Sequence, residues 1–559
     1  MSKFPITLSI AFLLLILASC RTQQEATMNS LQKKAEPYDQ FAWQRAYPDR
    51  TFDWKGWRNA MQETRLQETA VQRLSSCGGS NPVSWTQQGP GNVAGRLNAL
   101  AVHPENDSMV LAGFSGGGLF KSTDAGTSWT SVFDENPELS IGDITFDPSN
   151  PSVVYAGTGD PNIPSIVFNG SGIFKSSDTG ETWEYLGLED QGIISKVVVD
   201  PNNSTILYAA AMGNPYVRDN ERGIYKSTDG GLNWTQVLFV SDQAGASDLV
   251  INEDNPQILY ASFWDRIRSN QESIIYGPHA KVYKSSDGGA TWDVLGGGLP
   301  TAIMGRTGLA ISKQDPNKVY AIFVDTLSRP GGLYKTLDGG NTWEAMNING
   351  LQDAYADFGW YFGKVRINDA NDDDVYVLGI LCWRKTGSSW QIAAGAHADC
   401  HDLVFTPSGF RYLATDGGLY TSFTDPGPGF FTSWTKSKNL PTTQFYHTSY
   451  NPHEPGTYYG GAQDNGIQKS SVAGFNNWVQ VFSADGFHTV FDPTDPNHFW
   501  AEIQNGTIHE TTTGGDSWTF GQSCLGTTDR CNWNAPFFIS EHPSHWPYSA
   551  TYKAYASTS

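Results

Sequence analysis

The chain has 559 residues and a formal net charge of −21, with 36 basic against 57 acidic side chains, 58 glycines and 13% aromatics. No basic stripe offsets the acidic balance, which argues against a nucleic-acid partner. No helical periodicity is sustained after about residue 75, which argues against stacked helix pairs.

At the N-terminus Lys3 precedes an apolar run from Ile6 to Leu17, which ends in Leu17-Ala18-Ser19-Cys20. A short terminal apolar core closed by small residues predicts a secretory signal over residues 1–20, too short for a transmembrane helix. Cys20 directly after Leu-Ala-Ser resembles the bacterial lipobox. That resemblance implies a lipid anchor at Cys20 and attachment to a membrane. With Arg21 in place of an aspartate, the expected address is the outer membrane, facing the periplasm or the exterior.

Residues 21–36 read as a polar tether. Residues 37–82 carry Trp43, Trp54, Trp57 and Met61 among charges, and GWRNAMQETRLQETAVQRL has helical spacing. One or two short helices packed on the main body are expected there, followed by a linker. Five cysteines follow Cys20. In an oxidising compartment disulfides persist, and Cys382 with Cys400 and Cys524 with Cys531 are candidate pairs that spacing alone does not fix.

From residue 83 the chain repeats itself. VHPENDSMVLAG leads to Trp129, FDPSNPSVVYAG to Trp183 and VDPNNSTILYAA to Trp234; the rhythm continues through Trp292, Trp343, Trp390, Trp434, Trp478 and Trp518. Successive tryptophans lie 40 to 58 residues apart. That period, with about four short strands per unit, predicts an all-β chain forming a β-propeller. Residues 83–435 supply about seven blades. Residues 436–559 supply more, as an incomplete second ring or as the remainder of one ten-bladed ring.

Five units contain KSTDAGTSW or a close variant, with Asp124, Asp178, Asp229, Asp287 and Asp338. Such an aspartate can accept hydrogen bonds from its own turn, the glycine can take positive φ, and the tryptophan supplies a large buried face. The constellation resembles the Asp-box, or bacterial neuraminidase repeat, which implies a structural turn on the outer rim of a blade. A catalytic acid is needed once or twice, whereas a turn clip is needed in every blade.

GPGNVAGRLNALAVHP, HADCHDLVFTP, ATDGGLY, LPTTQFYHTSYNP, YYGGAQDNG and SADGFHTVFDPTDPNHFWAEIQNG follow in this order. Together they resemble bacterial exported proteins grouped with the sortilin N-terminal domain and with the xyloglucan-cleaving glycoside hydrolases of family 74. Glycoside hydrolysis normally needs two carboxyl groups. In GFSGGGLFKS the first-ring acid that the resemblance implies is replaced by Ser115, whereas SADGFHTVF retains Asp485 as a catalytic candidate.

His397, Asp399 and His401, at alternate positions, would share one face of an extended strand and could hold a divalent metal. Arg96, Asp416, Gln463, Asp464, Asn465 and His488 join them as ligand-binding candidates on the channel side. Trp264, Trp360, Tyr361, Trp383 and Tyr446 lie outside the boxed positions and are candidate sugar platforms. The expected function is a lipid-anchored binding or scaffold module for a protein, peptide or glycan. The alternative is a xyloglucanase-like hydrolase with its acid pair incomplete.

Overall fold

A computed structural model describes residues 53–75, 86–136, 138–164, 167–269, 271–423, 434–470, 474–523, 533–540, 547–550 and 554–556. Cys20, Cys77, Cys524 and Cys531, with the signal and tether, lie outside the described residues. The chain is a β-propeller protein. Nine four-stranded antiparallel sheets follow in chain order, and a three-stranded sheet comes after them. A two-stranded hairpin, Ile267–Arg268 with Ser273–Ile274, is inserted into the fourth blade.

From the first sheet to the seventh, the first strand of each lies innermost, against the first strand of the next. These inner strands are Leu97–His103, Ile141–Phe146, Ile193–Val199, Ala244–Ile251, Thr307–Ile311, Lys364–Asn368 and Cys400–Phe405. The seventh packs back on the first, so seven blades close a ring. Blades eight and nine begin with Phe445–Tyr450 and Gly486–Phe491, which pack on each other.

Three kinds of bond hold blade to blade. In blades two, four and seven a β-bulge breaks the inner-strand register just before Asp143, Asp248 and Asp402. A bulge re-aims the side chain that follows it. Each carboxylate then accepts the main-chain N–H of the next inner strand: Val197 at 2.8 Å, Leu309 at 3.0 Å and Leu100 at 3.2 Å.

A second-strand tyrosine makes the next link. The Tyr208 and Tyr260 hydroxyls donate to the Gly288 and Gly339 carbonyls at 2.9 Å, inside the boxed turns of the following blades. Tyr412 donates to the Asp107 carbonyl at 2.9 Å across the closing seam.

The tryptophan supplies the third link, to the preceding blade. Trp129 donates to Ser437 Oγ at 2.9 Å and Trp234 to the Leu186 carbonyl at 3.1 Å.

The boxed turns are closed by their aspartates. Asp178 Oδ1 accepts the N–H groups of Glu181 and Thr182 at 3.1 and 2.9 Å, and its Oδ2 accepts the Thr182 hydroxyl at 2.6 Å. Gly231 takes φ +94° in the equivalent turn, and a Cβ there would meet Leu186 at 2.4 Å. A sixth turn of this form occurs in blade nine without an aspartate. Thr513 Oγ1 accepts the Ser517 N–H at 2.9 Å, and Thr511 Oγ1 accepts the Gly515 N–H at 3.1 Å.

Among the described residues the expected helical segment contains one helix, Trp54–Ser75. Trp54 and Trp57 pack against the cluster that contains Tyr216, and Arg58 Nη1 donates to the Glu189 carbonyl at 2.7 Å. Among the described residues no helix is long and apolar enough to cross a membrane.

The pairing expected of Cys382 and Cys400 is not made. Both are free thiols, buried in one apolar cluster. Burial pushes the Cys382 thiol up to about 12.

Candidate active site

The loops at one mouth of the ring converge on Asp416. This residue sits in the tight turn between Arg411–Thr415 and Gly418–Ser422 of blade seven. Its carboxylate accepts Arg96 Nε at 3.3 Å, His401 Nε2 at 2.6 Å and the Tyr361 hydroxyl at 2.9 Å. Arg96 immediately precedes the first inner strand, and Tyr361 precedes the sixth. Burial opposes ionisation of Asp416, but Arg96 and His401 overcome it and hold the acid well below the usual carboxylate range.

On its other side Arg96 Nη1 donates to Ser115 Oγ and to Asp160 Oδ2, each at 3.3 Å, and Ser115 Oγ donates to Asp160 at 2.5 Å. Ser115 and Asp160 are both fully buried. Ser115 therefore orients a carboxylate that comes from the second blade. Asp160, in TGDPN, was missed in the sequence; its only signal is an acid just past the inner end of a second strand, one position beyond the place Ser115 holds in blade one.

Blades eight and nine bring in the remaining acids. Asp464, in the turn between Tyr458–Ala462 and Gly466–Lys469, donates its N–H to Asp485 Oδ1 at 2.9 Å. The Asn465 amide donates to the Asp416 carbonyl at 3.1 Å and joins the two sets of loops. One carboxylate oxygen from each of Asp399, Asp416 and Asp464 lies within 4.8 Å of the others. Burial and the charge on Asp416 raise Asp464 and Asp399 well above the ordinary carboxylate value. Asp485, half-buried, is raised by burial too, against the pull of the Asp464 amide. The cluster thus sets one carboxylate held low beside three acids whose pKa values are pushed up. Neutral carboxyls are proton donors.

The expected metal set is not assembled. Asp399 has φ +62° and precedes the strand, which starts at Cys400, so the alternation that would align His397, Asp399 and His401 is broken. His401 spends Nε2 on Asp416 and sits against the Tyr361 ring edge-on, with centroids 4.9 Å apart. His397 bonds the Ala398 and Asp464 carbonyls at 3.0 and 3.2 Å. Asp399, Asp416 and Asp464 are the group that geometry could offer a cation, and Arg96 already neutralises its ionised member.

Gln463 contributes its main chain: its carbonyl accepts the Asn465 amide at 2.9 Å. His488 lies outside the cluster. It stacks on His447 with ring centroids 3.5 Å apart, beside the Tyr446–Phe487 stack, and burial lowers it to about 4. The expected sugar platforms are mostly interior: Trp264, Trp360 and Tyr361 are at most 8% exposed. Trp383 packs partly buried on the same cluster.

No family model matches the chain. Among curated proteins it is 23% identical over 341 residues to a xyloglucanase of Paenibacillus sp, covering 56% of this chain and 32% of that protein. It is 28% identical over 244 residues to a xyloglucanase of Hypocrea jecorina, covering 38% and 28%. The chain spans about a third of the length of the curated relatives it matches. Among solved structures, the GH74 enzyme of Niastella koreensis superposes with a TM-score of 0.59 at 16% identity, covering 84% of this chain and 74% of that one. The chain is a β-propeller protein similar to the xyloglucanases of glycoside hydrolase family 74.

Proposed function

We propose that this chain is a glycoside hydrolase acting on a xyloglucan-type polysaccharide, with Asp485 as general acid. The polymer lies where the mouth of the ring meets blades eight and nine. The observation that carries this reading is the placement of Asp485: half-buried at the mouth, it accepts the Asp464 N–H at 2.9 Å and so joins the acid cluster around Asp416, where burial and Asp416 raise its pKa. Carboxyl pairs whose environments push their pKa values apart suit acid–base work.

Asp485 gives its proton to the glycosidic oxygen as the bond to the anomeric carbon breaks; water captures that carbon and releases a proton to solvent, from which the Asp485 carboxylate is reprotonated. Arg96 favours the carboxylate left behind. Asp399, partly exposed at the mouth, donates a hydrogen bond to a sugar hydroxyl, while Asp464 spends its proton on the Asp416 carboxylate. Asp416 is too deeply engaged to touch substrate, and with Arg96 it sets the field around the donors.

Reducing-sugar release from xyloglucan tests the reading. Asp485→Asn should cut the rate at least 100-fold, in line with loss of a general acid, while the melting temperature stays within a few degrees. Release that persists in Asp485→Asn excludes this assignment. Retention on immobilised xyloglucan without any release would restore the binding-module reading.

Export and lipid anchoring through Cys20 belong to the same proposal. Incorporation of labelled palmitate that survives Cys20→Ser would remove the anchor from it.

A further inference from the structure

In the seven-bladed ring, neighbouring blades meet through side chains that follow a register shift in the inner strand. Asp143 of blade two and Lys196 of blade three both follow such shifts, and their opposite charges pair at 2.7 Å. Blades eight and nine repeat the arrangement with different chemistry. His447 follows the shift in Phe445–Tyr450, and His488 lies within the shift in Gly486–Phe491. Their imidazoles stack across the junction, with ring centroids 3.5 Å apart and planes 27° apart.

Rings so nearly parallel aim their lone pairs side by side, which does not suit tetrahedral ligation of one metal ion. Neutral rings pack well in this contact, whereas two imidazolium ions would repel each other. Nε2 of His447 meets the Asn534 amide at 2.7 Å, and the Tyr446–Phe487 stack flanks the pair. Neither imidazole has an ion-pair partner among the described residues.

The strands and turns packed against the pair also carry Asp464, Lys469, Asp485 and Glu502. Lys469 lies 3.8 Å from Glu454. Burial and the charge on Asp416 raise Asp464 and Asp485, and burial raises Glu502 to about 8. Acids raised in this way favour the closed state as pH falls, so they do not imitate an acid-driven opening.

We propose that the His447–His488 contact is an acid-sensitive latch between blades eight and nine, closed while both imidazoles are neutral and opened by their protonation. Burial lowers both groups: His488 to about 4, with His447 adding to the effect, and His447 against the pull of Asn534. An exposed imidazole binds its proton near about 6.5. The open junction therefore takes protons that the stack refuses. The latch is complete above about 6.5 and is lost as pH falls towards about 4. Asp485 stands three positions before His488, but the latch is independent of the hydrolase reading, because it is measured by exchange and not by turnover.

Hydrogen–deuterium exchange of the whole chain at pH 7.5 and pH 4.5, corrected for intrinsic rates, reads the junction at residues 445–450 and 486–491. Protection there should fall at least about tenfold at pH 4.5, in line with the gap between the open and stacked imidazoles. His488→Phe keeps a ring against His447 but cannot take the second charge, and should shrink that loss at least threefold. His488→Lys sets a fixed cation against His447 and should show the loosened junction already at pH 7.5. Undiminished protection of the wild type at pH 4.5, or a full-sized loss in folded His488→Phe, overturns the latch. Should His488→Phe not fold, His447→Phe decides by the same criterion.

Discussion

The Asp402 carboxylate accepts the Leu100 N–H at 3.2 Å across 302 positions of sequence, and the same carboxylate accepts Arg366 Nε at 2.9 Å. This carboxylate sits where the seventh blade meets the first. Every strand of the seventh blade comes from residues 400–436 and every strand of the first from residues 97–131. No strand is shared across the seam. Closure therefore rests on side-chain bonds of this kind, on packing, and on the Leu440 N–H, which donates to the Gly91 carbonyl at 3.0 Å beside the seam.

Removing Asp402 should open the seam. Asp402→Ala leaves Arg366 and two amides without their acceptor, and loss of one member of a buried pair costs about 3–5 kcal/mol. Denaturant unfolding should show that loss. Arg366, Lys364 and Lys196 hold the Asp402 carboxyl low despite its burial. Its contribution is therefore complete above the ordinary carboxylate value and disappears only as pH falls through the depressed one. A wild-type seam that loosened between pH 6 and 8 would contradict this assignment.

The boxed aspartates should matter to stability and not to turnover. Asp178 lies on the rim, and its hydrogen bonds with Thr182 and Ser176 outweigh burial and lower it to about 2. Asp178→Ala should cost about 1 kcal/mol through unmade hydrogen bonds. The deficit relative to wild type should be full above about pH 4 and close as pH approaches 2. Thermal melting at pH 6 and pH 2 measures both limits, and xyloglucan turnover should be unchanged.

Truncating a boxed tryptophan should be far costlier than truncating its aspartate. Trp234→Ala removes a large packed face and its bond to the Leu186 carbonyl. A loss of about 3–5 kcal/mol is expected. A midpoint shift no larger than that of Asp178→Ala would show that the blades dock by the turn and not by the ring.

The charge on Asp416 should set the pH profile. A general acid must be protonated, so hydrolysis should fall as pH rises through the raised pKa of Asp485. Asp416 raises that pKa. Asp416→Asn should therefore move the alkaline limb to lower pH, beyond any change in maximal rate. An alkaline limb that stays in place would separate Asp485 from the Asp416 field.

Cys382 and Cys400 should be silent in the folded protein. Both are buried and both thiols are raised, Cys382 to about 12, so the reactive thiolate is scarce. Alkylation mapped by mass spectrometry should leave both peptides unmodified under native conditions and label them in denaturant. Native labelling of either, or a bridge between them, would contradict the free-thiol arrangement.

By itself the sequence determined the blade. Strand length, turn and tryptophan recur because each blade meets the same local demand: a glycine at positive φ, an acceptor to close the turn, and an aromatic face for the neighbouring sheet. Where threonine could do the aspartate's work, at Thr513, the pattern faded from the sequence although the turn persisted. Arg96, Asp399, His401, Asp416, Asp464 and Asp485 were legible as mouth-facing residues, but their roles were not. Asp160 and the function of Ser115 stayed hidden because each is defined by a partner in another blade.

Only the tertiary structure decided that seven blades close and which acids are held low and which are pushed up. Both depend on contacts such as Arg96 with Asp416, 320 positions apart, and Asp402 with Leu100. A carboxylate's charge is fixed by the field and burial around it, and in this ring every such neighbour arrives from a different turn of the chain.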